Sequence, residues 1–505
     1  MKKNFLINIL LLVFLNLLIK PLWVFIEIEV QNKVGTQHYG LYFALFNLTQ
    51  ILNIILDAGI VNFNNKEIAG NPALIEKYTN RLIPLRALLG VIYLLMIMVI
   101  GWLFNYDSFA IIMLASLGVN QILLAFLLYF RSNLQGLHFF KSDSLISIAD
   151  RVIMAILVLY LLYAVQVSEF KIEWFIYIQS AGYLFAALLA AVFLFTHSKI
   201  KFKFKFNLAF SLVFLKKCIP YALIGILMLL YYFSDAVMLE RMLPNGDEAS
   251  GIYAQSFRIL LALINFSYLF SLLLLPMFSK MIAKKENLTE LIQLSGSLLI
   301  LGSVFVAFSC AAFSHEIISA LYGKVEGMGM MQRILLSFHG ELQGLQNPAE
   351  IALSADIFFF IILNFIPISA LYVYGTLLTA AGEMKWLNIT AAIGVVINLG
   401  ANFFLIPVYG PLGSAVISLS TQIVICILQI GYAKKKFNLH FTLNLFFKYL
   451  ITMGVFCGTL YLLKQSAISW PLQITISIAL GFIAAIATKA LPLPGISKLI
   501  KSRTN

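Results

Sequence analysis

The sequence predicts an all-α polytopic membrane protein with about 14 transmembrane helices. Only 11% of its 505 residues are charged and 61% are hydrophobic, whereas a soluble domain carries about 25% charged residues. Apolar runs of about 20 residues, the length that crosses the hydrocarbon core of a bilayer, recur from one end of the chain to the other. We predict helices because an open strand leaves backbone groups unpaired in lipid, and the runs lack the alternating pattern of a barrel.

Fourteen apolar runs are predicted to span the membrane. They cover residues 5–26, 38–60, 83–104, 109–130, 150–168, 174–196, 218–240, 251–278, 291–313, 350–377, 387–407, 411–432, 445–464 and 470–491. The first run follows Lys2 and Lys3 and so imitates a signal peptide, but no small-residue cleavage site comes after it. Pro21 and Trp23 continue the run, and we therefore expect a retained first helix.

The 35 lysines and arginines are distributed unequally between the predicted loops. With the N-terminus inside, 23 of them fall in cytoplasmic segments, 6 in outer segments and 6 within or at the edges of spans. Since basic residues accumulate on the cytoplasmic side of a membrane, this bias and the even number of spans predict that both termini are cytoplasmic. The net charge of +13 is thereby attributed to topology and to attraction for anionic lipid, and not to nucleic-acid binding.

A short motif occurs twice and indicates an internal repeat. Gly40-Leu41-Tyr42 recurs as Gly251-Ile252-Tyr253, with the two glycines 211 residues apart. Glu29 and Glu240 stand eleven residues before the two glycines and are separated by the same 211 residues. A duplicated membrane hairpin is typical of transporters built from repeats, so the first and second sets of six spans are expected to superpose.

The repeat divides the chain into three predicted parts. An N-terminal lobe (1–206) holds spans 1–6, and a C-terminal lobe (207–436) holds spans 7–12 together with an extended outer loop (314–349) in which we expect a short helix. A terminal pair of helices, spans 13 and 14, occupies 437–505. The segment 199–206, KIKFKFKF, links the lobes and is interpreted as either an interfacial strand or an amphipathic tether.

Basic residues inside spans are candidate binding groups, because a charge in the bilayer costs about 2.5–3.5 kcal/mol unless it faces a cavity or a partner. The candidates are Lys20, Arg86, Arg151 and Arg258. Arg258 either pairs with Asp235 of the preceding helix or binds phosphate, which suits the fork of a guanidinium. For Arg86 the alternative is snorkelling to the headgroups, and for Arg151 it is a place at the interface.

Acidic residues inside spans are candidates for ion coupling or for pairing with these cations. They are Glu27, Glu29, Asp235 and Glu240. The glutamates either coordinate a proton or a sodium ion or cap a helix junction. No cofactor and no metal site are expected, since Cys218, Cys310, Cys426 and Cys457 show no ligand spacing with histidine.

Several motifs together resemble the O-antigen and capsule flippases (Wzx-like) of the multidrug/oligosaccharidyl-lipid/polysaccharide exporter superfamily. The motifs are RSNLQGL at 131–137, YYFSDAVMLE at 231–240, SGIYAQSFR at 250–258, AGEMK at 381–385 and GPLG at 410–413. The resemblance implies two six-helix lobes arranged as a V around a cationic cavity. The extra helix pair resembles the arrangement of the lipid II flippase.

This resemblance also implies a function in the bacterial inner membrane. The expected activity is the flipping of an undecaprenyl-pyrophosphate-linked oligosaccharide from the cytoplasmic to the periplasmic leaflet by alternating access, with polysaccharide polymerase machinery as a candidate partner. No enzymatic activity is expected. Two alternatives remain: an ion-coupled small-molecule exporter of the MATE type, and, from a different class, a membrane glycosyltransferase or O-antigen polymerase.

Overall fold

The computed structural model describes residues 19, 21–164, 170–198, 203–323, 330–338, 348–439 and 443–491, and all regular structure within them is helical. The helices are α1 (21–34), α2 (Thr36–Leu52), α3 (Ile54–Asp57), α4 (Ile60–Gly70), α5 (Ile75–Leu103), α6 (Ser108–Gly136), α7 (Phe140–Leu159), α8 (Ile172–Ser198), α9 (Leu208–Met242), α10 (Gly246–Ala283), α11 (Thr289–Gly296), α12 (Gly302–Ala312), α13 (Ser314–Tyr322), α14 (Met330–Ser337), α15 (Pro348–Leu363), α16 (Phe365–Ala380), α17 (Met384–Lys436), α18 (Leu443–Lys464) and α19 (Trp470–Ala487).

The predicted fold class is confirmed: this is an all-α protein with many membrane-length helices. Within the described residues, eleven helices are long and apolar enough to cross a membrane. One of them, α17, is 53 residues long and contains two of the predicted spans, which are separated where Gly410 leaves helical geometry (φ 57°, ψ −142°). Most of the first predicted span lies outside the described residues, so the total of fourteen remains a prediction.

The chain forms two compact units, the first ending at Gly251 and the second beginning at Ile252. In the first unit, buried amides hold neighbouring helices together. Asn64 of α4 donates hydrogen bonds to Ser132 Oγ (3.0 Å) and Asn133 Oδ1 (2.8 Å) of α6. Bonds of this kind stabilise helix pairs in lipid, where the burial of apolar surface drives association only weakly. The predicted lobe boundaries are not tested by this division and stay a prediction.

The two glycines of the repeat meet inside the first unit. A Cβ at Gly40 would overlap the Asp247 carbonyl oxygen, and a Cβ at Gly251 would overlap the Thr36 carbonyl oxygen. Thr36 and Asp247 are themselves 211 residues apart, so the contact is reciprocal, as it is at a twofold-related interface. Gln31 strengthens it by donating a hydrogen bond to the Gly251 carbonyl oxygen (2.9 Å). Glycine is thus required because the first turns of α2 and α10 cross backbone to backbone.

The second span of the first unit is broken near its middle. The path α2–α3–α4 bends where Ala58 (φ 44°) and Gly59 (φ 79°) adopt left-handed backbone geometry. Asp57 ends the short central helix, and its Oδ1 accepts a hydrogen bond from the Val61 backbone N–H (3.2 Å). The break therefore places a carboxylate inside an otherwise apolar span, which is a common location for binding sites in transporters.

In the second unit, the terminal helix pair packs on α12 through a cluster of rings. The Phe305 ring lies 4.8 Å from that of Phe456 in α18 and 5.3 Å from that of Phe482 in α19. Gly481 permits this approach, because a Cβ there would lie about 3 Å from Phe305 and Phe456. The terminal pair is consequently an integral part of this unit's core.

The predictions for the outer loop (314–349) and for the linker (199–206) can each be compared with the structure over part of the segment. The described portions of the outer loop contain two helices, α13 and α14, which confirms helical structure there. Residues 199–202 of the linker lie outside the described residues. In the remainder, the Lys203 and Lys205 backbone N–H groups donate to Asn80 (2.7 and 3.2 Å) and the chain is irregular, which favours a tether over a strand.

Candidate functional site

Arg86 is enclosed within the first unit. Its Nη2 lies 2.9 Å from Asp57 Oδ1, its Nη1 donates to the Ala125 carbonyl oxygen (2.8 Å), and its guanidinium lies 5.1 Å from the ring centre of Tyr129. Only 2% of the Arg86 side chain is exposed, against 33% of the Asp57 side chain. For Arg86 to bind a substrate phosphate, that phosphate would have to replace Asp57.

Sequence reasoning missed Asp57, although a signal for it is present. Asp57-Ala58-Gly59 places a carboxylate and a glycine together inside an apolar run, and glycine readily adopts the left-handed conformation that breaks a helix. Hydropathy alone predicts one uninterrupted span over 38–60, in which Asp57 falls near the end. The structure extends the helical path to Gly70 and thereby places Asp57 well inside the span.

We expect Asp57→Asn to be more damaging than Arg86→Met. The first change leaves a fully buried guanidinium without its counter-charge, at a cost of about 3–5 kcal/mol, whereas the second leaves a carboxylate of which a third is exposed. The double variant should recover part of the loss. Thermal unfolding of the four proteins in detergent tests this. Strictly additive losses would contradict a direct ion pair.

Arg151 lies in a more accessible setting than Arg86. About a third of its side chain is exposed, its Nε lies 3.8 Å from Asp150 Oδ2, and its guanidinium lies 4.9 Å from the ring centre of Trp23 in α1. The Glu27 carboxylate is within electrostatic range of Arg151 as well. The fold therefore brings together two predicted site residues, Arg151 and Glu27, that are far apart in sequence.

Aromatic and amide side chains extend this cluster. The Trp23 ring stacks on the Phe175 ring (5.9 Å), and Gln179 Nε2 donates to the Tyr42 hydroxyl oxygen (2.7 Å). Gln179 is buried, and its Oε1 finds no hydrogen-bond donor among the described residues. Trp23, Phe175 and Gln179 are themselves buried, so within this cluster the partly exposed Arg151 guanidinium is the group that a phosphate can reach, and the rings and the amide hold it in place.

Glu240 is held at the C-terminal end of α9. The Tyr106 hydroxyl donates to Glu240 Oε2 (2.8 Å), and Arg241 donates through both Nε (2.7 Å) and Nη2. Burial, and next the Glu240 carboxylate, raise the pKa of Tyr106, which keeps its hydroxyl protonated and donating. Glu29, the equivalent residue in the repeat, is buried and interacts with the Tyr163 hydroxyl. Each glutamate thus interacts with a tyrosine hydroxyl. This arrangement favours the interpretation in which the glutamates cap helix junctions.

The structure gives fewer contacts for the three remaining predicted residues, Arg258, Asp235 and Lys20. Arg258 in α10 and Asp235 in α9 are both buried, with 7% and 2% of each residue exposed. They fall in different compact units, and their pairing stays a prediction. Lys20 lies outside the described residues.

A separate cleft of about 480 Å³ opens at the predicted outer end of the first unit. Its polar lining consists of Lys33, His38, Lys171 and Glu173. Two of the six outer basic residues therefore share one recess, so an anionic group leaving the first unit on this side would meet positive charge.

Comparison with solved structures defines the class of fold. The chain is similar to the lipid II flippase MurJ in an inward closed conformation (TM-score 0.72, 15% identity, 95% of this chain and 99% of that chain covered). It is also similar to an inward-facing multidrug resistance MATE family transporter (0.58, 12%, 83% and 94%). A third similar structure is a transporter of the same superfamily from Pyrococcus furiosus (0.52, 12%, 85% and 95%). The fold is therefore that of transporters of the multidrug/oligosaccharidyl-lipid/polysaccharide (MOP) exporter superfamily, as the resemblance implied.

The family follows from the sequence itself. The profile of the polysaccharide biosynthesis protein family matches residues 5–282, which is more than half of the chain, and the protein belongs to that family. A search of curated protein sequences found no match.

Proposed function

We propose that this protein is a flippase that moves a prenyl-pyrophosphate-linked oligosaccharide repeat unit from the cytoplasmic to the periplasmic leaflet of the bacterial inner membrane. Membership of the polysaccharide biosynthesis family and the MurJ-like fold support a lipid-linked sugar as the substrate. The observation that carries the proposal is the Arg151 cluster, in which a partly exposed guanidinium lies beside aromatic rings and amides within a membrane-embedded unit.

The charge of the substrate determines what its binding site must supply. A pyrophosphate diester brings about two negative charges, and each needs a cation because an unpaired charge in a low-dielectric region costs several kcal/mol. Arg151 supplies one such charge, and Arg258, Arg86 and Lys20 are the other candidates. The prenyl chain stays in lipid while the headgroup crosses, so binding the headgroup is the main task of the protein.

Alternating access would carry the headgroup between the two sides. Glu27 lies within electrostatic range of Arg151 and would therefore compete with the substrate for that cation. Protonation or sodium binding at Glu27 would release Arg151 for the pyrophosphate, which links a coupling ion to substrate binding. Removal of the flipped repeat unit by a polymerase would also draw the cycle forward.

Deletion of the gene tests the proposed step. We expect surface polysaccharide to be lost and complete prenyl-linked repeat units to accumulate in the cytoplasmic leaflet. Re-expression of the natural protein should restore export. The Arg151→Gln variant should export at least tenfold less polysaccharide. The Arg151→Lys variant should recover part of the export, because lysine supplies the positive charge without the planar guanidinium fork. Lys280→Gln is the control, since Lys280 is exposed at the end of α10 and its replacement removes one positive charge.

Other results would exclude this function. Incomplete repeat units would indicate a biosynthetic enzyme, and complete units in the periplasmic leaflet would indicate a polymerase. Unchanged prenyl-linked sugars together with increased sensitivity to small cationic drugs would indicate an exporter of the MATE type.

A further inference from the structure

A second recess lies in the second unit, at the lysine-bearing end of α17. Its volume is about 720 Å³, and its lining combines aromatic, aliphatic and basic side chains: Trp386, Ile427, Leu428, Gly431, Tyr432, Lys435 and Lys436. The charge bias of the sequence places this end of α17 in the cytoplasm. We call this recess the α17 cleft.

The wall of the α17 cleft is fixed by a chain of contacts. The rings of Trp386 and Tyr432 stack with their centres 4.6 Å apart. The Tyr432 hydroxyl donates to Glu383 Oε2 (2.7 Å), and Lys436 Nζ lies 2.8 Å from Glu383 Oε1. The hydrogen bond from Lys436, and to a smaller extent that from Tyr432, lowers the pKa of Glu383. The Glu383 carboxylate is therefore ionised at neutral pH. The two ends of α17 are thereby joined beside the cleft.

Two donor groups in the cleft are not used by these contacts. Lys435 is exposed and forms no ion pair with any described residue. The Trp386 Nε1–H is buried and has no acceptor within the described part of the chain. Lys435 is available to an acceptor on a ligand such as a phosphate oxygen, whereas the indole N–H is covered in this structure.

The cleft changes in character with depth. Ile427 lies eight residues before Lys435, or about 12 Å along the helix axis, and 64% of Ile427 is exposed. The cleft is therefore cationic at the end of the helix and apolar toward the membrane interior. A soluble phosphate would use only the cationic end, whereas a lipid would use both.

We propose that the α17 cleft binds an anionic phospholipid, with its phosphate on Lys435 and Lys436 and an acyl chain along Ile427 and Leu428. Two lysines and the Glu383 carboxylate leave one net positive charge at the cleft. Among these three groups, the single positive charge matches the single negative charge of a phosphate diester such as phosphatidylglycerol. The α17 cleft and the Arg151 cluster are formed by different residues in different units, and lipid binding at the cleft does not depend on the proposed flippase activity.

Gly431 provides a test that leaves the wall contacts intact. A Cβ at Gly431 would meet no atom within 4 Å, so Gly431→Leu adds an apolar side chain to the cleft from a position with room at its base. Lys435→Gln removes one cation. We expect each change to weaken phosphatidylglycerol binding to the purified full-length protein, about fivefold for Lys435→Gln, as measured by native mass spectrometry during lipid titration. Lys280→Gln, at the end of α10, is the control and should bind as the natural protein does.

Competing ligands decide whether the cleft is a site for anionic phospholipid. Phosphatidylglycerol should bind at least fivefold more tightly than zwitterionic phosphatidylethanolamine, and inorganic phosphate should not displace it. Equal binding of the two lipids, or unchanged binding by both Gly431→Leu and Lys435→Gln, would overturn the proposal. Stronger binding of undecaprenyl pyrophosphate than of phosphatidylglycerol at the same cleft would overturn it too, by assigning the cleft to the substrate.

Discussion

Replacement of Gly40 by alanine is expected to abolish the accumulation of folded protein. The added methyl group would overlap the Asp247 carbonyl oxygen and lie 2.6 Å from the Gly251 backbone nitrogen. These are backbone atoms in the first turns of α10, which cannot rotate away as a side chain can, so the helices must separate. Overpacking of a tight interface usually costs 1–3 kcal/mol, and we expect a loss above about 3 kcal/mol here because both partners are backbone. Size-exclusion profiles and thermal unfolding of the variant in detergent measure the effect.

Gly251→Ala should behave like Gly40→Ala, since its methyl group would overlap the Thr36 carbonyl oxygen in the reciprocal contact. Gly454→Ala is the matched control: this glycine lies within α18, and a Cβ there would meet no atom within 4 Å. That variant should fold normally. A Gly40→Ala protein as stable as the Gly454→Ala protein would show that the two helices do not cross backbone to backbone.

Replacement of Arg258 by alanine should abolish flipping at a normal protein level, if Arg258 is a substrate ligand. Such a loss would exceed about 100-fold, because a pyrophosphate oxygen would remain unpaired in a region of low dielectric. Arg258→Lys should restore activity only in part, since lysine supplies the charge without the planar fork. Surface polysaccharide and protein abundance are measured together, and Lys280→Ala controls for the loss of one positive charge.

The alternative role of Arg258 is an ion pair with Asp235, and a double variant separates the two. Both residues are buried, so the removal of one partner of a pair would leave the other charged and unpaired. If the pair is structural, Asp235→Ala combined with Arg258→Ala recovers function that each single change loses. If Arg258 binds substrate, the double variant stays inactive.

The sequence by itself determined the fold class and singled out two glycines that the structure places in contact, while the orientation it indicates stays a prediction. Long apolar runs are sufficient for the first, because a helix is the element that satisfies its own backbone within a single span. The recurrence of Gly40 as Gly251 indicated a repeat, and the structure adds the reason for glycine at both positions. A repeat is visible in sequence because equivalent positions experience the same packing requirement, and it does not require knowledge of which helices are neighbours.

Only the tertiary structure decided which charged residues are partners. Arg86 and Asp57 are 29 residues apart, and the sequence suggested an accessible cation where the fold places a buried ion pair. For Arg151 the sequence left a binding cavity and an interfacial position open, and the fold brings Trp23 of α1 to it and Glu27 within electrostatic range. Trp386 and Tyr432 stack although α17 separates them by 46 residues, because the bend at Gly410 turns the second half of that helix back along the first. Pairings of this kind depend on the bends and crossings of helices, which are set by a few left-handed or glycine positions and by packing, and hydropathy carries no information about either.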